Sequence, residues 1–168
     1  MKTLLILRHA EAAPARDGDD FERALTRRGV ADAEVLGTEA ARHVGAPALA
    51  LVSPARRAME TFEAFSRAAG WQTNLRVDDL LYEASPDVVR DTISAVETTG
   101  DILVVGHNPA LADLVASLAG GGNEAALAKL RRQFPAPCLA VLRFDDAGWT
   151  ALRPGSGSLL HLLTSPTG

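Results

Sequence analysis

Cysteine is almost absent from this sequence: Cys138 is the single one among 168 residues. One thiol builds no intramolecular disulfide framework and no cysteine-based metal site. Lysine is nearly as scarce, with only Lys2 and Lys129, and aromatic residues make up 5% of the chain. Long apolar runs are missing as well. The opening MKTLLILRHAEAA carries an apolar run of only about five residues before an arginine interrupts it, too short for a signal peptide. No stretch approaches the roughly twenty apolar residues of a membrane span. A cytoplasmic protein is the expectation. The formal charge of −4 argues against nucleic acid or an anionic membrane as the main partner. Neither an internal repeat nor an interdomain linker stands out, so residues 1–168 are expected to form one domain, acting as a monomer.

What is present is an alternation of apolar strands and amphipathic helices. Residues 3–7, 48–53 and 101–106 are continuous apolar runs, the pattern of strands buried on both faces of a parallel sheet. Between them lie helices with readable ends. Thr26 caps the first, where Val30, Ala33, Leu36, Ala40 and Val44 recur at helical spacing, and Gly45 with Pro47 ends it. Pro54 opens the second and Gly70 closes it. TNLRVD is a short strand candidate. Ser85 and Pro86 begin a helix over 86–97, Asn108 and Pro109 another, and a last one lies near 124–132. CLAVLRFDDAGWTAL reads as a β-hairpin turning at Asp145–Gly148, and the final dozen residues as a Gly/Ser-rich tail around a small apolar patch. Together these predict a three-layer α/β/α domain with helices on both faces of a mostly parallel central sheet.

Each of the three strongest strands ends in a polar cluster: Arg8-His9, then Ser53-Pro54-Ala55-Arg56-Arg57, then Gly106-His107-Asn108-Pro109. In an open parallel sheet the carboxyl ends of the strands share one edge, where such folds bind ligands. Guanidinium groups beside imidazoles repel cations and match the oxygens of phosphate, so an anion is expected here and a metal is not. Helix N-termini at Pro54 and Asn108 would add N–H groups. Imidazole can also attack phosphorus and carry it covalently.

LRHAEA, LTRRG, SPARRAMET and VVGHNPAL, in this order, resemble the histidine phosphatase superfamily, which also holds the phosphoglycerate mutases. The resemblance runs from residue 4 to about 153 and is similar in particular to the short SixA-type phosphohistidine phosphatases. It implies a phosphoglycerate-mutase-like fold and a metal-independent hydrolase without a cofactor. His9 matches the family's nucleophile, which becomes phosphorylated, and Arg8 the phosphate-holding arginine beside it. In SPxxRAxxT the arginine falls on Arg57 rather than Arg56. His107 matches the second histidine, which hydrogen-bonds a phosphoryl oxygen. Glu83 in LLYEASP matches the proton donor, although a surface glutamate would read the same way.

Ala10 stands where the commonest motif has glycine, a replacement expected to cost some backbone freedom. The chain has no room for the helical lid of the larger mutases, so an open, shallow site is expected. The substrate implied is phosphohistidine on a protein, such as a phosphotransfer domain or a phosphocarrier. A small-molecule phosphomonoesterase and a non-catalytic phosphate-binding module remain as alternatives. His43 and His161 read as structural, and Glu11 with the acidic run Asp17–Glu22 as solvated, bordering the expected pocket and able to contact a basic partner.

Overall fold

A computed structural model describes residues 1–145 and 148–166. The chain runs β1 (Lys2–Arg8), α1 (Arg27–Ala40), β2 (Leu49–Val52), α2 (Arg56–Ala69), β3 (Asn74–Val77), α3 (Pro86–Ser94), β4 (Ile102–Gly106), α4 (Ala110–Leu118), β5 (Ala119–Gly122), α5 (Glu124–Arg132), β6 (Cys138–Phe144) and β7 (Gly157–Thr164). A 3-10 turn, Asp79–Leu81, joins β3 to α3. The seven strands form one sheet in the order β3-β2-β4-β1-β6-β7-β5. Only β6 is antiparallel to its neighbours, so the sheet is largely parallel.

The apolar run of β1 is continuous because both of its faces are covered. Leu4 and Ile6 pack with Val89 and Ile93 of α3, Leu111 and Leu114 of α4 and Ala126 of α5. Leu5 and Leu7 pack on the other side with Leu36 of α1 and Phe62 and Phe65 of α2. Residues alternate between faces along a strand, so a run with no polar position is what a sandwiched sheet requires. The helix starts follow their capping residues: the Thr26, Ser85 and Asn123 side chains accept from the backbone N–H of Gly29, Val88 and Ala126. Gly70 ends α2 in the left-handed conformation at φ 71°.

Three expectations need correction. The hairpin that follows β6 closes later than expected: Trp149–Ala151 is a 3-10 turn, and β6, already paired with β1, pairs antiparallel with β7. The expected turn at Asp145–Gly148 includes Asp146 and Ala147, which lie outside the described residues. The supposed tail holds β7, wedged between β6 and β5. Finally, α1 stops at Ala40 and α3 at Ser94, ahead of the Gly45 and residue 97 expected.

Parallel pairing sets the site. Arg8 lies opposite Gly106 across β1 and β4, Val52 opposite Val105 across β2 and β4, and the pairing continues as His9 N donates to Gly106 O at 3.0 Å and Ser53 N to Val105 O at 3.0 Å. The three polar clusters therefore emerge side by side at one edge.

Candidate active site

His9 and His107 face each other with ring centroids 5.3 Å apart. His9 Nδ1 lies 2.7 Å from the carbonyl oxygen of Ala10. A carbonyl only accepts, so Nδ1 carries the hydrogen and Nε2 keeps its lone pair. Burial, then Arg57, Arg8 and Arg23, lower the His9 pKa to about 4 against the pull of that carbonyl bond. The ring is neutral at neutral pH. Thr61 of α2 fixes the backbone beside it, accepting from Ala10 N at 3.0 Å and donating to Arg57 O at 2.7 Å. Ala10 is fully buried and is not among the residues with positive φ, so the expected cost of alanine in place of glycine does not arise.

His107 Nε2 sits 2.7 Å from Ser53 Oγ, and that hydroxyl already accepts from Ala55 N at 3.3 Å. With that hydroxyl donating to Nε2, the ring hydrogen sits on Nδ1. Burial, then His9 and Arg57, push the His107 pKa down to about 3. Arg8 is anchored through Nη1 to the carbonyl of Phe134 at 2.9 Å, and Asn108 donates to the same oxygen at 3.0 Å.

Arg57 is buried, whereas Arg56 is exposed and lies 3.6 Å from Glu60 on its own helix. Both terminal nitrogens of Arg57 go to Asp20: Nη1 to its main-chain oxygen at 2.8 Å, Nη2 to Oδ2 at 3.1 Å. Tyr82 OH donates to the same Oδ2 at 2.8 Å, and Arg23 Nη1 to Oδ1 at 3.1 Å. The hydrogen bond from Tyr82, with those from Arg23 and Arg57, holds the Asp20 carboxyl at about 2. Tyr82 packs edge-on against Phe21 and stands 5.8 Å from the His107 ring.

Glu83 follows directly, exposed and at φ 56°, a left-handed backbone uncommon for a residue other than glycine. It shares a cavity of about 250 Å³ with His107, Leu81, Ala84 and Leu111. Arg8, His9 and Arg57 lie outside that lining.

The structure thus brings Arg8, His9, Arg57 and His107 to one edge, with Glu83 lining a cavity that His107 also lines. Asp20, Arg23, Tyr82, Ser53 and Thr61 join them without having been singled out from the sequence. Ser53 and Thr61 carried a signal, as the ends of the SPxxRAxxT pattern. Asp20 carried only that of an acidic run bordering the expected pocket, and Arg23 carried none. Five buried side-chain polar atoms among the described residues lack a hydrogen-bond partner, and three of them are here: Arg8 Nε, Arg57 Nε and His107 Nδ1. Buried donors are rarely left unpaired, so this set suits an anion with several oxygens. His43 and His161 pack against each other instead, with tilted rings 4.4 Å apart. Among the described residues no three His, Cys, Asp or Glu side chains group as metal ligands, and no helix is long and apolar enough to cross a membrane.

Comparison with known proteins bears on the family and the fold. An uncharacterised protein of Mycobacterium tuberculosis is 34% identical over 159 residues, covering 92% of this chain and 96% of the relative. One from Mycobacterium leprae is 32% identical over 160 residues at the same coverage. Among solved structures, a protein of Nakamurella multipartitia designated phosphohistidine phosphatase SixA superposes with a TM-score of 0.86 at 28% identity, covering 98% of this chain and 96% of that one. A SixA-designated protein of Agrobacterium tumefaciens gives 0.80 at 31% identity, with 97% of each chain covered. The profile of the histidine phosphatase superfamily, branch 1, matches residues 4–90, a span that holds Arg8, His9, Arg57 and Glu83 and stops before His107. On sequence, fold and the company these residues keep, the chain belongs to the histidine phosphatase superfamily, with the architecture of its SixA-type members.

Proposed function

We propose that this phosphatase hydrolyses phosphohistidine on a protein through a phosphorylated His9. The observation that carries the reading is the trio of buried, unpartnered donors, Arg8 Nε, Arg57 Nε and His107 Nδ1, gathered about a neutral histidine whose Nε2 is the free nitrogen. A phosphoryl group offers the oxygens those donors lack. The designation of the SixA-like structures as phosphohistidine phosphatases supports the choice of substrate.

The reaction has two displacements. His9 Nε2 attacks phosphorus, a new P–N bond forms, and the bond to the leaving nitrogen of the substrate breaks. The leaving imidazole departs neutral, having taken a proton on its other ring nitrogen. Water then attacks phosphorus of phospho-His9, releasing orthophosphate and returning the lone pair to Nε2. Charge develops on the equatorial oxygens in both steps, where Arg8, Arg57 and His107 Nδ1–H stabilise it; one such donor is typically worth about 10²–10³ in rate. Guanidinium groups supply the positive charge, so no metal takes part. Glu83, which lines a cavity with His107, is the group we assign to protonate an alkoxide leaving group.

Purified protein is to be incubated with phosphohistidine proteins and phosphate esters in the presence of EDTA, following phosphate release. Release from phosphohistidine proteins, undiminished by the chelator, is expected, and wild-type protein quenched by denaturation at alkaline pH should retain an acid-labile, base-stable label that His9→Ala lacks. An acid-stable label, or activity restored only by added divalent metal, would overturn the mechanism. Turnover of esters alone would make the enzyme a phosphomonoesterase.

A further inference from the structure

The Asp20 bonds use only part of Arg57. A guanidinium presents two edges to an acceptor: an end made by its two terminal nitrogens, and a side made by Nε–H with the second hydrogen of Nη2. Asp20 holds the end with its main-chain oxygen and its carboxylate together. The side edge is left over, and its Nε is buried and without a partner. Asp20 cannot drift, because Tyr82 and Arg23 hold its two carboxylate oxygens. The chain turns into this position through Asp17 at φ 54° and Gly18 at φ 75°.

We infer that Asp20 is a positioning residue, gripping Arg57 by the end so that its side edge meets the phosphoryl group. The inference rests on the phosphoryl site proposed above and adds the residue that orients its clamp. A carboxylate near an anion site could instead act as an internal competitor that phosphate must displace. Two features speak against that. Displacement would break three hydrogen bonds that tie Asp20 to α2 and to the segment after β3, and a fourth to Arg23. A competitor would also engage the donors that phosphate uses, and Nε is left alone. An arginine held in place during folding has less rotamer freedom to lose when an anion binds, which is the gain expected of such a grip.

Tungstate, a tetrahedral dianion, tests this without turnover. Its affinity is to be measured by calorimetry for wild type, Asp20→Ala, Asp20→Asn and Tyr82→Phe, with melting temperatures alongside. Asp20→Ala should weaken binding by about tenfold or more, the scale of a lost hydrogen bond to a charged group. Asp20→Asn retains an acceptor oxygen and should stay within about threefold of wild type, as should Tyr82→Phe, which removes one bond from the carboxylate. In an Arg57→Ala background the Asp20→Ala effect should vanish, which a purely structural role would not produce. Should Asp20→Ala fail to fold, Asp20→Ser carries the same comparison. Tighter binding in Asp20→Ala would make the carboxylate a competitor, and unchanged binding would make it neither; both overturn the inference. Wild type that binds tungstate but forms no phospho-His9 would sink the proposed function and leave the Asp20 comparison standing. Wild type that does not bind tungstate would overturn both.

Discussion

Arg56 and Arg57 are neighbours in sequence and opposites in environment. The first extends along the outside of α2 toward Glu60; the second is 7% exposed and ends at Asp20. Arg57→Ala should therefore lower kcat/KM by about 10²–10³, the usual loss for a transition-state donor, while Arg56→Ala should stay within about threefold of wild type, as a surface ion pair allows. Steady-state kinetics of the two variants on one substrate checks this, and equal losses would remove Arg57 from the clamp. Glu83 separates substrates rather than positions. An alkoxide leaves poorly unless protonated, and a positioned acid supplies about 10²–10⁴-fold. Imidazole, with a reference pKa of about 6.5, collects its proton from solvent near neutral pH. Glu83→Gln should thus cripple hydrolysis of an alkyl phosphate and only mildly slow that of a phosphohistidine protein at the same pH. An equal fall for both would remove the leaving-group argument. At this scale Arg8, His9, Arg57 and His107 were legible because each ends a strand or sits inside a recognisable motif. Asp20 and Tyr82 were not, since nothing local distinguishes a carboxylate bound to a buried arginine from one in water.

Helix pairing shows what the elements add. Gly37 in α1 lies against the Phe65 backbone of α2, where an added Cβ would stand 2.2 Å from the Phe65 oxygen and 2.9 Å from its carbonyl carbon. Backbone cannot yield as a flexible side chain can, so Gly37→Ala must push α1 away from the helix that carries Arg57 and Thr61. A loss of about 1–3 kcal/mol in stability is expected, with Gly45→Ala, which meets nothing within 4 Å, close to neutral. Denaturant unfolding of the two variants measures the difference, and a neutral Gly37→Ala would show that the helices part easily. The strands divide into legible and illegible for a related reason. β1, β2 and β4 announce themselves through uninterrupted apolar runs. β5 is Ala119–Gly122, with three glycines, a composition no strand propensity would select. It exists because β7 lies beside it: a Cβ at Gly122 would meet the Leu159 oxygen at 2.1 Å, so only glycine allows that approach.

For the molecule as a whole, the buried histidines couple the site to stability. Folding lowers the pKa of His9 to about 4 and of His107 to about 3, below the value of about 6.5 expected in the unfolded chain. The unfolded chain therefore binds more protons than the folded one below about pH 6.5, and stability falls as pH drops through that window. His161 shifts in the same direction, by burial and its neighbour His43. The melting temperature should be lower at about pH 5 than at about pH 7.5, and replacing both His9 and His107 by glutamine should reduce the difference. A melting temperature that rises toward pH 5 would contradict the lowered pKa values. The two-faced burial of β1, the caps at Thr26 and Ser85, and the polar clusters closing β1, β2 and β4 were all determined by the sequence on its own, because each depends on residues a few positions apart. Which donors would be satisfied, and by whom, was decided only by tertiary structure. Asp20 reaches Arg57 across 37 residues and Tyr82 across 62, and β6 meets β1 from the opposite end of the chain. Hydrogen bonds and strand pairing act through space, and no local pattern records a partner that the chain brings back only after folding.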